Sequence, residues 1–414
     1  MTLSEDLQSR GLIKDKTFDD IKWLDTPQTF YLGVDCSTDS MTIGNLAVLM
    51  LARRLANAGW HTVLLVGGAT SLIGDPGGKN EERQLKTRDE IIQNVAGIKQ
   101  QMSQLFADKD FKLVDNYDWF KDMGYLEFLR EVGKHFSMTE LIQRDFIAAR
   151  MGEGGSGISY AEFSYSLIQG YDFFYLNKHH DVVLQIGASD QWGNMLSGAP
   201  LIRKKEGKEV HAFSMPLVIN KATGVKFGKS EAGAVWLDLK RTSSTKFYQF
   251  WINVGDDAVA EYLKIYTFLS PEEIEAIMTQ HATNLGDRHA QRALADEVTR
   301  LVHGQAELDT AKKITEVLTG KMPIGELPDE SMAALRQEIP SIKVAAGIET
   351  AEVLVTTGLA SSKTDARRFI TGNAISINGV KSQNEHIADG DFITGRILLR
   401  KGKAFKDSAL IERE

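Results

Sequence analysis

The sequence predicts an α/β protein: a doubly wound parallel sheet, then a helical region, then a small compact unit. Three observations carry this. Residues 29–35 alternate as a strand, Leu46 to Ala58 holds apolar residues at helical spacing and stops at Gly59, and His61 to Val66 is a buried-type strand running into Gly67-Gly68. A strand–helix–strand unit of this kind builds a parallel sheet. From about Arg241 to Leu318 the pattern turns helical, with Leu294, Val298, Leu301 and Val302 on one face. Residues 319–340 then hold three of the eight prolines with Gly320 and Gly325, the composition of a linker.

The remaining elements follow in order. Phe111 to Asp115 and Val182 to Ile186 read as further short strands, and Phe163 to Phe173 as a helix. Met151-Gly-Glu-Gly-Gly-Ser-Gly157 has the composition of a connecting loop. The expected division is 1–235, 236–320, 321–345 as linker and 346–414. An open doubly wound sheet binds its ligand at the carboxyl ends of its strands.

Composition sets the outer limits. A chain of 414 residues exceeds one ordinary core. Hydrophobic residues at 43% and charged residues at 25% fit a globular protein. The one cysteine, Cys36, excludes an intrachain disulfide and points to a reducing, cytoplasmic setting. Residues 1–22 lack the apolar run of a signal peptide, and no stretch is apolar enough to span a bilayer, so no membrane partner is expected. The net charge of −8, taken alone, argues against a nucleic-acid partner, and no DNA is expected. From Ser341 onward there are eleven Lys and Arg against nine Asp and Glu, a weak pointer to a polyanion there.

Two short segments suggest a polyphosphate clamp. Thr42-Ile-Gly-Asn45 lies at a strand-to-helix turn, where free backbone N–H groups favour an anion. Lys226-Phe-Gly-Lys-Ser230 sets two ammonium groups beside a hydroxyl. It is not a P-loop, because Thr223 stands where that pattern needs glycine. Taken alone the segment is weak, and a solvated basic turn is the favoured reading by roughly ten to one. No G-x-G-x-x-G follows the first strand, so a dinucleotide site is unsupported.

Other polar residues fall at strand ends or on one helix face. Asp75 follows the Gly67-Gly68 turn, with Lys79 and Arg83 beyond it as phosphate partners. Tyr165, Gln169 and Asp172 share a helical face, which suits a small polar ligand or an amphipathic edge. Asp190 and Gln191 close a strand, where they either meet a ribose or polar substrate group or cap the next helix. His179-His180 reads as a solvated turn, and no His/Cys cluster has metal spacing.

Five segments in order carry a resemblance: 31–35 (YLGVD), 67–76 (GGATSLIGDP), 164–172 (SYSLIQGYD), 189–194 (SDQWGN) and 226–230 (KFGKS). From about Leu24 to Ile411 the chain resembles the bacterial tyrosyl-tRNA synthetases, a class I family. The resemblance implies a Rossmann-like catalytic domain for ATP and tyrosine, a helical domain on the anticodon side and a small α+β RNA-binding domain as the tail. The tail carries Ala351–Ile370 and Ala374–Gly379, segments similar to a ribosomal-protein RNA-binding fold. The implied activity joins L-tyrosine to tRNA(Tyr) through tyrosyl-adenylate.

By that resemblance Tyr31 and Asp172 bind the phenol, Asp75, Tyr165 and Gln169 hold the ammonium group, and Gln191 meets the amino acid. Gly33, Asp35, Ser37, Gly44, Gly187, Asp190 and Lys229 line the ATP side. Thr42, Asn45, Lys79, Arg83, Lys226, Lys229 and Ser230 serve the chemistry, Mg²⁺ travels with ATP, and no protein metal site is implied. Lys363, Arg367 and Arg368 face tRNA, and a homodimer is implied. Thr42 and Asn45 depart from the usual H-x-G-H histidines and match the T-x-G-N of the tryptophan-specific sister enzymes. A tryptophan-specific enzyme and a non-catalytic RNA-binding paralogue are therefore the alternatives.

Overall fold

The computed structural model describes all residues except 76–84, 153, 220–223, 225, 226, 228, 231, 232, 403, 405 and 406. For Asp145, Phe146, Ala149, Lys229 and Ser230 it describes the backbone only. The chain divides into two compact units, Met1–Asp238 with Gly255–Ala290, and Leu239–Val254 with Gln291–Glu414.

The first unit is built on a six-stranded sheet. Its strands are β1 (Asp15–Lys16), β2 (Thr29–Asp35), β3 (His61–Gly67), β4 (Phe111–Asp115), β5 (Leu184–Ala188) and β6 (His211–Met215). Their spatial order is β1-β6-β5-β2-β3-β4. All pairings are parallel except β1 with β6, and the β2–β3 register runs from Thr29 opposite His61 to Asp35 opposite Gly67. β3 is buried along six of its seven residues, as a central strand covered on both faces must be.

The chain runs outward from β2 through β3 to β4, then returns to lay β5 on the other side of β2. The topological switch point therefore lies between β2 and β5, and a ligand crevice opens at their carboxyl ends. Two helices frame that crevice. Ile43–Asn57 starts at Thr42 and buries Leu46, Leu49, Met50 and Leu55. Tyr160–His180 opens with a reciprocal Ser159/Glu162 capping box, and Glu162 is also paired to the buried Arg150 at 2.7 Å.

A two-stranded ribbon, β7 (Lys229–Ser230) with β8 (Gly233–Ala234), follows β6. Helices Val259–Tyr266 and Pro271–Thr283 belong to this same unit, beyond the boundary expected at 235.

The second unit holds helices Ser244–Ile252, His289–His303 and Gln305–Thr319, with Leu294 and Val298 buried as their spacing predicts. It also holds a sheet of β9 (Ser341–Val344), β10 (Ile375–Ile377), β11 (Val380–Lys381), β12 (Arg396–Lys401) and β13 (Ser408–Arg413), ordered β11-β10-β12-β13-β9. The stretch expected as a linker is packed. Ile324, Leu327, Met332, Leu335 and Ile339 share a core with Ile314, Val317, Leu318, Leu398 and Leu410. Two of its three prolines mark helix starts: Pro323 and Pro328 stand just before a 3₁₀ turn and the helix Asp329–Glu338. Gly320, at φ 77°, is the left-handed cap closing Gln305–Thr319.

Candidate active site

The crevice has two polar ends joined by one hydrogen-bond network. At the inner end, Tyr31 of β2 is 1% exposed and Asp172 of helix Tyr160–His180 is 2% exposed. The Tyr31 hydroxyl oxygen is buried without a hydrogen-bond partner among the described residues. Asp172 is well served. Its Oδ2 accepts from Asn116 Nδ2 at 3.1 Å and its Oδ1 from Trp119 Nε1 at 2.9 Å.

Burial pushes the Asp172 carboxyl up to about 8, with the two donors pulling the other way and Asp35 and Asp115 adding to the rise. Burial, and then the charge of Asp172, push the Tyr31 phenol well above its ordinary range. A buried hydroxyl and a buried carboxyl of this kind suit a ligand that brings its own hydrogen-bonding group into an apolar slot.

At the outer end, the Tyr165 hydroxyl donates to Asp35 Oδ2 at 2.9 Å and Thr70 Oγ1 donates to Asp35 Oδ1 at 2.7 Å. Asn116 Nδ2 also reaches Thr70 Oγ1 at 3.2 Å, so the network runs from Tyr165 through Asp35, Thr70 and Asn116 to Asp172. Gly67 is required beside it, because a Cβ there would collide with Thr70 Oγ1 and Asp35 Oδ1. Asp75, nearly buried, accepts from Gln191 Nε2 at 2.6 Å. Asn194 donates to Gln191 Oε1 at 3.2 Å and is itself fixed by Ser166 Oγ at 2.7 Å. Carboxylates at this end are set to receive a cationic group.

The structure brings several of the residues expected from the sequence together and adds others. Tyr165 and Asp35 touch, and so do Asp75 and Gln191. Gln169 is half-buried on the same helix, while Gly33, Ser37 and Asp190 are exposed. Thr42 N–H and Oγ1 both donate to Asn45 Oδ1, at 3.0 and 3.1 Å, so the part of Asn45 toward a ligand falls to Nδ2. Gly187 sits against Met195, whose Sδ would lie 2.8 Å from an added Cβ. Lys79, Arg83 and Lys226 lie outside the described residues. For Lys229 and Ser230 only the strand backbone is described. Sequence reasoning missed Thr70, Asn116, Trp119 and Asn194. The signal for Asn116 and Trp119 was their place just after Asp115, at the carboxyl end of a parallel strand.

The basic residues of the tail are exposed and already paired. Lys363 Nζ meets Glu349 at 3.2 Å and Glu352 at 3.0 Å, Arg367 meets Glu349 at 2.8 Å, and Arg368 meets Asp365 at 2.5 Å. Among the described residues, no group of three or more His, Cys, Asp and Glu is arranged to hold a metal ion.

Residues 24–319 match the family model of tRNA synthetases class I (W and Y), and residues 331–406 match that of the tyrosine–tRNA ligase SYY-like C-terminal domain. The chain is 44% identical to a tyrosine–tRNA ligase of Salmonella arizonae, over 97% of this chain and 96% of that one. It is 42% identical to a tyrosine–tRNA ligase of Streptococcus equi subsp. zooepidemicus, over 97% of this chain and 98% of that one. Its structure is similar to a C-terminally truncated mitochondrial tyrosyl-tRNA synthetase of Aspergillus nidulans, with a TM-score of 0.67 and 30% identity, covering 75% of this chain and 92% of that one.

Proposed function

We infer the workings of this site from one premise: the chain belongs to the class I tRNA synthetases (W and Y), and it is a tyrosine–tRNA ligase. The observation that carries the substrate assignment is the pair at the inner end. Asp172 is held by Asn116 and Trp119, and beside it the buried Tyr31 hydroxyl has no partner among the described residues. A phenol entering there pairs both groups. Phenylalanine would leave them unpaired, and burying unpaired polar groups is costly. Thr42 and Asn45 favour the tryptophan-specific alternative, but the inner pair is built for a phenol.

The outer end takes the amino acid's ammonium group, through Asp75, Tyr165 and Gln169, with Gln191 alongside. Its carboxylate then faces ATP. A carboxylate oxygen attacks the α-phosphorus, the bond to the bridging oxygen breaks, and pyrophosphate leaves with the displaced charge. This step joins two anions, so it is governed by positioning and charge neutralisation. Lys79, Arg83, Lys226 and Lys229 supply that charge, and Mg²⁺ arrives with ATP as part of the substrate. Thr42, Asn45, Gly44 and Ser230 meet the phosphates, and Asp35, Ser37, Asp190, Gly33 and Gly187 line the nucleoside side. In the second step a ribose hydroxyl at the tRNA 3′ end attacks the tyrosyl carbonyl, and AMP leaves.

The rest of the chain serves tRNA and assembly. Residues 346–414 are the RNA-binding domain, using Lys363, Arg367 and Arg368, and within 236–320 the helices of the second unit, Ser244–Ile252, His289–His303 and Gln305–Thr319, face the anticodon side. A homodimer is supported by an exposed apolar set in the segment between β4 and β5: Tyr125, Leu126, Met138, Ile142, Met151 and Tyr160. Burying such a set is what a second copy would do. A cytoplasmic setting fits the single buried thiol, Cys36.

ATP–pyrophosphate exchange with tyrosine, tryptophan and phenylalanine tests this reading. Tyrosine is expected to support exchange far better than the other two. Better exchange with tryptophan would overturn the phenol assignment. No exchange with any of them would favour a non-catalytic RNA-binding protein.

A further inference from the structure

Phe227 stands between the two lysines of the segment 226–230, among Gly, Lys and Ser, yet it is only 4% exposed. A large apolar side chain turned inward from so polar a segment needs a seat. Its ring packs on Tyr262 with centroids 4.4 Å apart and on Tyr266 at 5.9 Å. Its N–H donates to the Val218 carbonyl at 2.9 Å. Its own carbonyl presses on the start of helix Ile43–Asn57, where a Cβ on Gly44 would lie 3.1 Å from that oxygen. Tyr266, 0% exposed, donates its hydroxyl to the Ile43 carbonyl at 3.1 Å. One buried tyrosine thus touches both the ring of the lysine-bearing segment and the first turn after Thr42.

We propose that Phe227 and Tyr266 are positioning residues for adenylate formation, fixing the distance between the segment that carries Lys226 and Lys229 and the helix turn that carries Thr42 and Asn45. The proposal rests on the reading that these lysines neutralise charge on the departing pyrophosphate. Charge stabilisation is sharply dependent on placement, and an error of about 1 Å can cost on the order of a hundredfold in rate. Burial drives the Tyr266 phenol well above its ordinary range, so its hydroxyl stays a donor at any working pH. A residue that merely filled the core would lower stability and affect every step alike. A positioning residue affects the step in which the lysines act.

The test uses the full-length protein and three rates or affinities: tyrosine binding, single-turnover adenylate formation, and transfer from preformed adenylate to tRNA. Phe227→Ala is expected to slow adenylate formation by about tenfold or more, with tyrosine binding and transfer changed by less than about twofold. Phe227→Met, which keeps an apolar plug, recovers most of the rate. Tyr266→Phe loses the bond to Ile43, slows the same step by less, and is non-additive with Phe227→Ala because both act on one contact. If Phe227→Ala does not fold, Tyr266→Phe carries the test by the same criteria. Equal slowing of all three measurements, or a lowered melting temperature at unchanged rates, would overturn the proposal. Lys229→Ala separates the two levels. If it forms adenylate at the wild-type rate, the reading of the lysines falls and the proposal with it. If it is slow while Phe227→Ala and Tyr266→Phe are normal, only the positioning role falls.

Discussion

Trp119 donates its indole N–H to Asp172 Oδ1 at 2.9 Å. Its ring is stacked on Tyr175, with centroids 4.3 Å apart, so the donor is held rather than merely near. Trp119→Phe keeps the stack and removes the donor. It is expected to weaken tyrosine binding by about 1.5–3 kcal/mol, the range for a hydrogen bond to a charged group, here the Asp172 carboxylate of the bound state. Equilibrium dialysis reads this, and an unchanged affinity would mean that Asp172 needs no such support.

The pH dependence of binding follows from the same carboxyl. In the free enzyme Asp172 is raised to about 8, chiefly by burial, so it is largely protonated at pH 7. A bound phenol that donates to the ionised form lowers that value, and binding then releases a proton. Tyrosine affinity should rise from pH 6 to about 8 and then level. Calorimetry in buffers of different ionisation enthalpy reports the proton directly. A flat profile with no proton release would contradict the assignment.

Stability should show the opposite trend. A carboxyl raised on folding gives a contribution present below its unfolded value and lost as pH rises through the folded one. For Asp172 that window runs from the ordinary 3.8 to about 8. The melting temperature of the free wild-type protein should therefore fall more steeply across this range than that of Asp172→Asn. Parallel curves would show that Asp172 ionises as freely folded as unfolded.

Tyr31→Phe removes a buried hydroxyl that has no partner among the described residues. The melting temperature should be unchanged or higher. For tyrosine, kcat/KM should fall by roughly two- to tenfold, the worth of one neutral hydrogen bond, while phenylalanine is untouched. Discrimination therefore narrows. A mutant that loses stability but keeps its discrimination would place the phenol elsewhere.

What could be read from the sequence was what periodicity and strand ends encode. β2 and β4 run over 29–35 and 111–115, as their patterns predict, because alternation and short apolar runs are local signals. Asp172 was legible as one of three polar groups on a helix face. Its partners were not, because Asn116 and Trp119 lie more than fifty residues away in sequence and meet it only when β4 is laid beside β3. The stretch 319–340 was misread for a different reason. Proline and glycine mark helix starts and ends as readily as linkers, and only burial of Ile324, Leu335 and Ile339 distinguishes the two.

The tail offers the last prediction. Glu349 holds Lys363 and Arg367, at 3.2 and 2.8 Å, on an exposed face. Exposed pairs of this kind are weak, so a phosphate can displace the carboxylate, but the carboxylate still competes and repels. Glu349→Gln should therefore tighten tRNA binding at low salt. Lys363→Ala with Arg367→Ala should loosen it, and each lost phosphate contact should flatten the log–log salt dependence by roughly 0.7–0.9. Exchange without tRNA should be unaffected in all of these variants, since every residue assigned to that step, Tyr266 included, lies in the first unit and none lies in the tail. Filter binding across a salt series, with exchange measured on the same preparations, gives both readings. A Glu349→Gln protein that bound tRNA no better, together with an unchanged salt slope in the Lys363/Arg367 variant, would mean that this face does not meet the phosphates.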